Sequence, residues 1–349
     1  MCDSAVHPRI GSSGAALLAL EDGTVFRGQA FGAALAGGGD LVVNTSPSGY
    51  QEVCTDPSYA GQLVVMTHPL IGNHGRTVAD DQSSRPWLRG LIVANATAAV
   101  TDDARQLVHL LRDRGVPAIA GLDTRALARH LRATGSQRAV ITAPNDGDPE
   151  AAAAAARDQQ RWEDQDFVAQ VSTEAPHDVG AGGSVVAVVD YGLKRGIVRA
   201  LVQRGVRVRV LPHNVGVAEA LAHDVAGLVL SPGPGDPARL TGPAGLARAA
   251  IADGRPLLGV CLGHQIIGRA AGAETRRLTA QNHEVEVVGE SLPASSGFLV
   301  SQRNLNDGSV EGLRHRTLPI ETVQYHPEGS PGPHDAMEVF DRFVERLSA

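Results

Sequence analysis

Residues 259–265 read Gly259-Val260-Cys261-Leu262-Gly263-His264-Gln265 and follow the short apolar run 256–260. A helical pattern begins directly after the cysteine, so this order predicts a nucleophile elbow: a strand ends, the backbone turns sharply and the side chain at the turn stands above the sheet. Glycines on both sides let the strand and the helix approach closely. Free N–H groups at a helix N-terminus stabilise negative charge, which makes Cys261 a candidate nucleophile. The alternative is a buried structural cysteine.

The C-terminal half alternates apolar strand patterns with helical patterns, and this predicts its architecture. The apolar runs cover 184–190, 206–211, 226–231 and 256–260. Such alternation predicts a doubly wound, mostly parallel α/β sheet with right-handed crossovers. Reactive groups in these sheets lie at the carboxyl ends of the strands, where Cys261 falls.

The N-terminal half is predicted to be a mixed, β-rich α/β domain. Short apolar runs of strand length recur in it, and Glu21-Asp22-Gly23 is typical of a hairpin turn. We assign 1–144 to this domain and 184–349 to the doubly wound domain. An alanine run and a glycine-rich stretch lie between them, so 145–183 is predicted to be a linker with a helix in its first part.

Composition excludes several classes of function. The chain has 349 residues, 43% of them hydrophobic, with 31 basic and 38 acidic residues and a net charge of −7. No basic tract and no apolar run long enough for a membrane span occur, so we expect neither nucleic-acid binding nor membrane insertion. Three scattered cysteines and the lack of a signal-peptide pattern at the start predict a cytoplasmic protein without disulfides or a metal site.

A cysteine nucleophile needs a base, a group that orients the base, and donors for an oxyanion. His326 follows an apolar strand pattern and is the candidate base, while Glu328 lies two residues on and can fix its tautomer. The stretch 231–237, Ser-Pro-Gly-Pro-Gly-Asp-Pro, forms a rigid loop whose N–H groups can face a ligand. The N–H of Leu262 is the second candidate donor. An ordinary surface histidine and an ordinary Pro-Gly turn are the alternatives.

These segments resemble a known family. The loop 231–237, the elbow and His326-Pro327-Glu328 occur in the order of class I, triad-type glutamine amidotransferases. Further segments are similar to the small subunit of carbamoyl phosphate synthetase, and the resemblance covers nearly the whole chain. These further segments are 44–52, 55–59, 71–73, 122–125, 190–195 and 330–335.

The resemblance implies a catalytic triad of Cys261, His326 and Glu328 that hydrolyses L-glutamine through a γ-glutamyl thioester. It implies that Gly233 and Leu262 hold the oxyanion and that ammonia passes through a tunnel to a large synthetase subunit. That partner makes carbamoyl phosphate from bicarbonate for arginine or pyrimidine biosynthesis. This chain has no Gly-x-x-x-x-Gly-Lys-Ser/Thr string, so ATP and Mg²⁺ are expected on the partner and no cofactor here. The implied glutamine contacts are Ser46, Gly233, Gly235, Leu262, Gln265 and Asn282.

The chain departs from the family pattern next to this site. Only residues 273–280 separate Gly272 from Gln281-Asn282-His283, which leaves room for one strand and not for a further hairpin. Glu284-Val285 replaces the family's Gly-Phe, so an aromatic ring is lost and a carboxylate is added. We hypothesise that glutamine binding is weakened while the nucleophile is intact; harmless loop shortening is the alternative.

Three functions are therefore compared. The first is an active glutaminase subunit, which the intact Cys261, His326 and Glu328 favour. The second is a glutaminase-impaired paralogue that binds and stabilises the large subunit. The third is a free-standing Cys-His hydrolase of γ-glutamyl compounds, for which the extra N-terminal domain has no use.

Overall fold

A computed structural model describes residues 13–97, 106–278 and 285–348. The chain divides into two compact units, and the boundary lies between Gln165 and Asp166. Within the described residues, no helix is both long enough and apolar enough to cross a lipid bilayer.

In the described part of the first unit, seven strands close into a barrel in the order β1-β2-β6-β5-β4-β3-β7. The pairs within β6-β5-β4-β3 are parallel and the other pairs are antiparallel, so the barrel is mixed. The strands are β1 (Gly14–Leu20), β2 (Val25–Gly32), β3 (Gly37–Asn44), β4 (Gln62–Met66), β5 (Gly90–Val93), β6 (Pro117–Ala120) and β7 (Gln137–Ile141).

Alternation along β1 shows how the barrel is built. Leu18 and Leu20 belong to one apolar cluster with side chains from the other strands, whereas Leu17 and Ala19 belong to a second cluster with alanines of α4. Successive side chains of a strand point to opposite faces, so each strand serves both layers. The helices of this unit are α1 (Tyr50–Thr55), α2 (Leu107–Asp113), α3 (Thr124–Thr134) and α4 (Pro149–Arg157).

The predicted hairpin turn is confirmed, since Asp22-Gly23 joins β1 to the antiparallel β2. The Asp123 side chain caps α3 by accepting a hydrogen bond from the Ala126 N–H. The segment 145–183, predicted as a linker, is divided between the two units in this structure. Its alanine run forms α4, which buries Ala152 and Ala153 against β1, because an amphipathic helix gains stability by covering an apolar sheet face.

The second unit contains an eight-stranded sheet in its described residues, in the order β15-β16-β17-β12-β11-β9-β10-β8. The five strands from β17 to β10 are parallel neighbours, and the outer pairs are antiparallel. These strands are β8 (His177–Val179), β9 (Val185–Asp190), β10 (Arg207–Pro212), β11 (Val225–Leu230), β12 (Leu257–Val260), β15 (Phe298–Arg303), β16 (Val310–His315) and β17 (Ile320–Val323), and a separate ribbon pairs β13 (Thr275–Arg277) with β14 (Val285–Val287).

Helices cover both faces of this sheet, as predicted. One apolar cluster joins the strands to α8 and α9, and the other joins them to α6 and α10. The central strands are buried on both faces, which explains why their sequences are continuous apolar runs. The helices are α5 (Val168–Val171), α6 (Arg195–Gln203), α7 (Val217–Ala220), α8 (Thr241–Asp253), α9 (Leu262–Ala270) and α10 (Glu338–Glu345).

Candidate active site

The predicted elbow is present between β12 and α9. Cys261 has φ +51° and ψ −105°, a backbone conformation that side chains other than glycine rarely adopt and that costs about 1–3 kcal/mol. Its N–H donates to the Val323 carbonyl at 2.8 Å, which ties the turn to the end of β17. A Cβ on Gly263 would lie 2.1 Å from the Leu230 carbonyl oxygen, so only glycine allows α9 to start this close to β11.

The two other predicted triad residues are assembled just after β17. His326 Nδ1 lies 3.1 Å from Glu328 Oε1, and the imidazole is close enough to the Cys261 side chain for the two groups to interact electrostatically. Cys261 is 9% exposed and the His326 side chain is 24% exposed, whereas the Glu328 side chain is fully buried. The structure therefore brings sulfur, imidazole and carboxylate together at the carboxyl ends of β12 and β17.

Lys194 is a member of this group that the sequence reasoning missed. It precedes α6, and its Nζ lies 2.6 Å from Glu328 Oε1 and 3.4 Å from His326 Nδ1, with a further hydrogen bond to the Ser330 carbonyl. Only 1% of its side chain is exposed. The available signal was its place in the family-like stretch 190–195. We call Lys194, His326 and Glu328 the charged cluster.

The pKa values in the charged cluster follow from these contacts. Burial opposes ionisation of Glu328, but the neighbouring Lys194 and His326 outweigh it and hold the pKa of this carboxyl far below its usual range. Burial and the Lys194 ammonium lower the pKa of His326, but Glu328 and Cys261 outweigh them and raise it to about 10. The imidazole is therefore protonated at neutral pH and can act as a proton donor next to the Cys261 sulfur.

Two amide side chains form a second group at the sulfur. Gln265 Nε2 donates to the Val285 carbonyl at 2.7 Å and to Gln324 Oε1 at 3.0 Å. Gln324 Nε2 donates in turn to the Cys261 sulfur at 3.6 Å. Both amide side chains are buried. We call Gln265, Gln324 and the Val285 carbonyl the amide cluster.

The predicted oxyanion donors flank the elbow. Leu262 is the first residue of α9, so its N–H has no acceptor within the helix. Gly233 lies in the loop after β11, where a Cβ would come within 2.0 Å of the Tyr191 carbonyl oxygen. Gly235 has φ +114°, a conformation that glycine adopts without strain. The Gly263 N–H donates to the Ser231 carbonyl at 3.2 Å and so connects this loop to the elbow.

Of the two remaining predicted glutamine contacts, the structure describes Ser46 but not Asn282. Ser46 lies in the first unit, two residues after β3, where its N–H donates to Asn44 Oδ1 at 2.8 Å. Asn282 and Glu284 lie outside the described residues. The described part of the shortened interval, residues 273–278, contains one strand, β13. Among the residues that are described, no group of three or more His, Cys, Asp or Glu side chains is arranged to hold a metal ion.

Comparisons with known proteins match both parts of the chain to family models. Residues 18–141 match the family model of the carbamoyl-phosphate synthase small chain, CPSase domain. Residues 187–287 and 276–346 match the model of class I glutamine amidotransferases.

Similar proteins carry related names. The carbamoyl phosphate synthase small chain of Symbiobacterium thermophilum is 43% identical, over 93% of this chain and 96% of that protein. The small chain of a Synechococcus species is 40% identical, over 95% of this chain and 93% of that protein. A pyrimidine-specific small chain of Lactiplantibacillus plantarum is 38% identical, over 95% of this chain and 96% of that protein.

Proposed function

Because the chain belongs to the carbamoyl phosphate synthase small-chain family, we propose that it hydrolyses glutamine at Cys261 and delivers ammonia to a large synthetase subunit. The observation that carries this proposal is the elbow conformation of Cys261 beside the His326–Glu328 pair, whose Nδ1 and Oε1 atoms are 3.1 Å apart. In a decayed site at least one of the three triad side chains would be lost or displaced.

The reaction begins with attack of the Cys261 sulfur on the side-chain amide carbon of glutamine. The carbonyl π electrons move to oxygen, and the resulting oxyanion accepts hydrogen bonds from the Gly233 and Leu262 N–H groups. The tetrahedral centre then collapses, the C–N bond breaks and His326 gives its proton to the departing nitrogen. The products of this half-reaction are ammonia and a γ-glutamyl thioester.

Water completes the cycle. His326, now neutral, takes a proton from water as the oxygen attacks the thioester carbon, and collapse of the second tetrahedral centre expels the sulfur. Glutamate leaves and the imidazolium is regenerated. Glu328 and Lys194 react with nothing in this scheme; they hold the imidazole in place and compensate each other's buried charge.

The amide cluster indicates how Gln265 would meet the substrate. Its two N–H groups donate to the Val285 carbonyl and to Gln324, so Oε1 is the atom available to a ligand. An acceptor suits the α-ammonium group of glutamine. Ser46, Gly235 and Asn282 complete the proposed glutamine contacts.

The proposed partner is a large subunit that binds ATP with Mg²⁺ and joins the ammonia to bicarbonate. The carbamoyl phosphate made by the complex would supply arginine or pyrimidine biosynthesis.

One experiment tests the proposal. The chain is purified with and without a candidate large subunit, and glutamate release from glutamine is followed for wild type and Cys261→Ser. We expect release by the wild-type complex and none by the variant. No release by either complex would favour a binding partner without glutaminase activity. Fast release by the isolated chain would favour a free-standing hydrolase.

A further inference from the structure

We propose that Gln324 is a further catalytic residue, whose side-chain amide donates a hydrogen bond to the Cys261 sulfur and stabilises the attacking thiolate. The inference rests on the proposed function, since it takes Cys261 as the nucleophile. Gln324 follows β17 directly and is 1% exposed. Its main-chain N–H donates to the Glu311 carbonyl at 2.8 Å, which fixes the point from which the side chain extends.

The direction of the Gln324 amide follows from its neighbours. The Val285 carbonyl can only accept, so the Gln265 atom 2.7 Å away must be the nitrogen. That same nitrogen lies 3.0 Å from Gln324, which must therefore present its oxygen. The Gln324 nitrogen is then left to face the Cys261 sulfur at 3.6 Å. A main-chain carbonyl thus sets the polarity of a chain of donors that ends on the nucleophile.

A donor of this kind supplements the imidazole. Sulfur is a weak acceptor when neutral and a much stronger one as thiolate, because hydrogen bonds to ionised groups are roughly twice as strong as neutral ones. The His326 proton is passed to the leaving nitrogen during the reaction, whereas an amide proton stays in place throughout. Gln324 therefore favours the thiolate both before attack and when the thioester is cleaved.

The test measures the reactivity of the thiol and does not depend on glutamine turnover. Gln324→Glu keeps an acceptor for Gln265 but replaces the donor with a carboxylate that repels the thiolate. Iodoacetamide labelling of the Cys261 peptide, followed by mass spectrometry across pH, should be about tenfold slower at neutral pH. The half-maximal rate should move to higher pH. The same exchange at the exposed end of α6, Gln203→Glu, serves as the matched control and should leave labelling unchanged.

A second variant distinguishes loss of the hydrogen-bond donor from misfolding and from the effect of the added charge. Gln324→Met keeps the length of the side chain without a donor or a charge, and we expect labelling about threefold to tenfold slower. Thermal unfolding identifies the variants that fold. Wild-type labelling of folded Gln324→Met at every pH would overturn the proposal. Slower labelling supports it even if wild-type enzyme releases no glutamate, so failure of the proposed function would be visible separately.

Discussion

The charged cluster and the amide cluster both reach the Cys261 sulfur, and they do so by different physical means. Lys194, His326 and Glu328 carry two positive charges and one negative charge; Lys194 and Glu328 are almost completely buried and His326 is partly exposed, so each charge depends on the others. Gln265 and Gln324 are neutral, and their hydrogen bonds are oriented by a main-chain carbonyl. The charged cluster can move a proton, whereas the amide cluster supplies a fixed dipole that does not titrate.

This difference determines how much stability is lost when one side chain is removed from each cluster. Removal of one charge from a buried group exposes the remaining charges to the full cost of desolvation. Removal of one amide leaves neutral partners, each of which costs only about 1–3 kcal/mol when unsatisfied. The charged cluster should therefore respond most strongly to mutation.

Loss of Lys194 should have the largest effect on stability. In Lys194→Met, the buried Glu328 carboxylate keeps only His326 as an ion-pair partner, and its Oε2 already lacks a hydrogen bond among the described residues. We expect the free energy of unfolding in denaturant to fall by about 3–5 kcal/mol. Arg195→Met, at the exposed next residue, is the control and should change it by less than about 0.5 kcal/mol.

A double variant sharpens this prediction. If the loss comes from an unpaired carboxylate, Lys194→Met/Glu328→Gln should be more stable than Lys194→Met alone, because the remaining buried group is neutral. Equal stability of the two variants would show that Lys194 acts through packing rather than charge.

Gly263→Ala tests the elbow that both clusters share. The added Cβ would press on the Leu230 carbonyl oxygen at 2.1 Å, so β11 and α9 must separate. We expect a loss of about 1–3 kcal/mol of unfolding free energy and at least a tenfold loss of glutamate release. Gly245→Ala in α8 is the control: only the tip of Arg248, at 3.9 Å, is near its Cβ, and alanine should stabilise the helix. An equally stable Gly263→Ala would contradict the close-packing argument.

A pH series separates the clusters, because only the charged cluster titrates. The pKa of His326 is raised from 6.5 to about 10 in the folded chain, so its protonation stabilises the fold fully below pH 6.5. This contribution is lost as pH rises toward 10. The difference in unfolding free energy between wild type and His326→Gln should therefore shrink over this range, by less than the Lys194 effect because the imidazole is partly exposed. A difference independent of pH would refute the raised pKa.

The smallest effect is expected at the departure from the family pattern. If the Glu284 carboxylate repels the substrate carboxylate by about 1 kcal/mol, Glu284→Gln should lower the KM for glutamine about fivefold with kcat unchanged. Glu290→Gln, at a carboxylate that is 75% exposed, should leave KM unchanged. An unchanged KM in Glu284→Gln would support harmless loop shortening.

The local elements of the site could be predicted because each has a short-range signal. Continuous apolar runs marked the parallel strands, and paired glycines marked the elbow at Cys261. Gln324 gave no such signal, and the only signal for Lys194 was its place in the family-like stretch 190–195. Each is a polar residue beside an apolar run, which in sequence terms is equally typical of a solvated strand end, and the function of each depends on partners more than 60 positions away.

The sequence alone determined the family, the two-part organisation and the strand–helix alternation, and it singled out Cys261, His326 and Glu328 as the candidate triad. These features rest on nearest-neighbour chemistry: side-chain period, turn residues and motif order. Only the tertiary structure decided that a lysine neutralises Glu328, that Val285 orients two amides, and that α4 packs on the barrel. Burial makes the difference, because a charge or an amide acquires its energetic role from the groups that replace water around it.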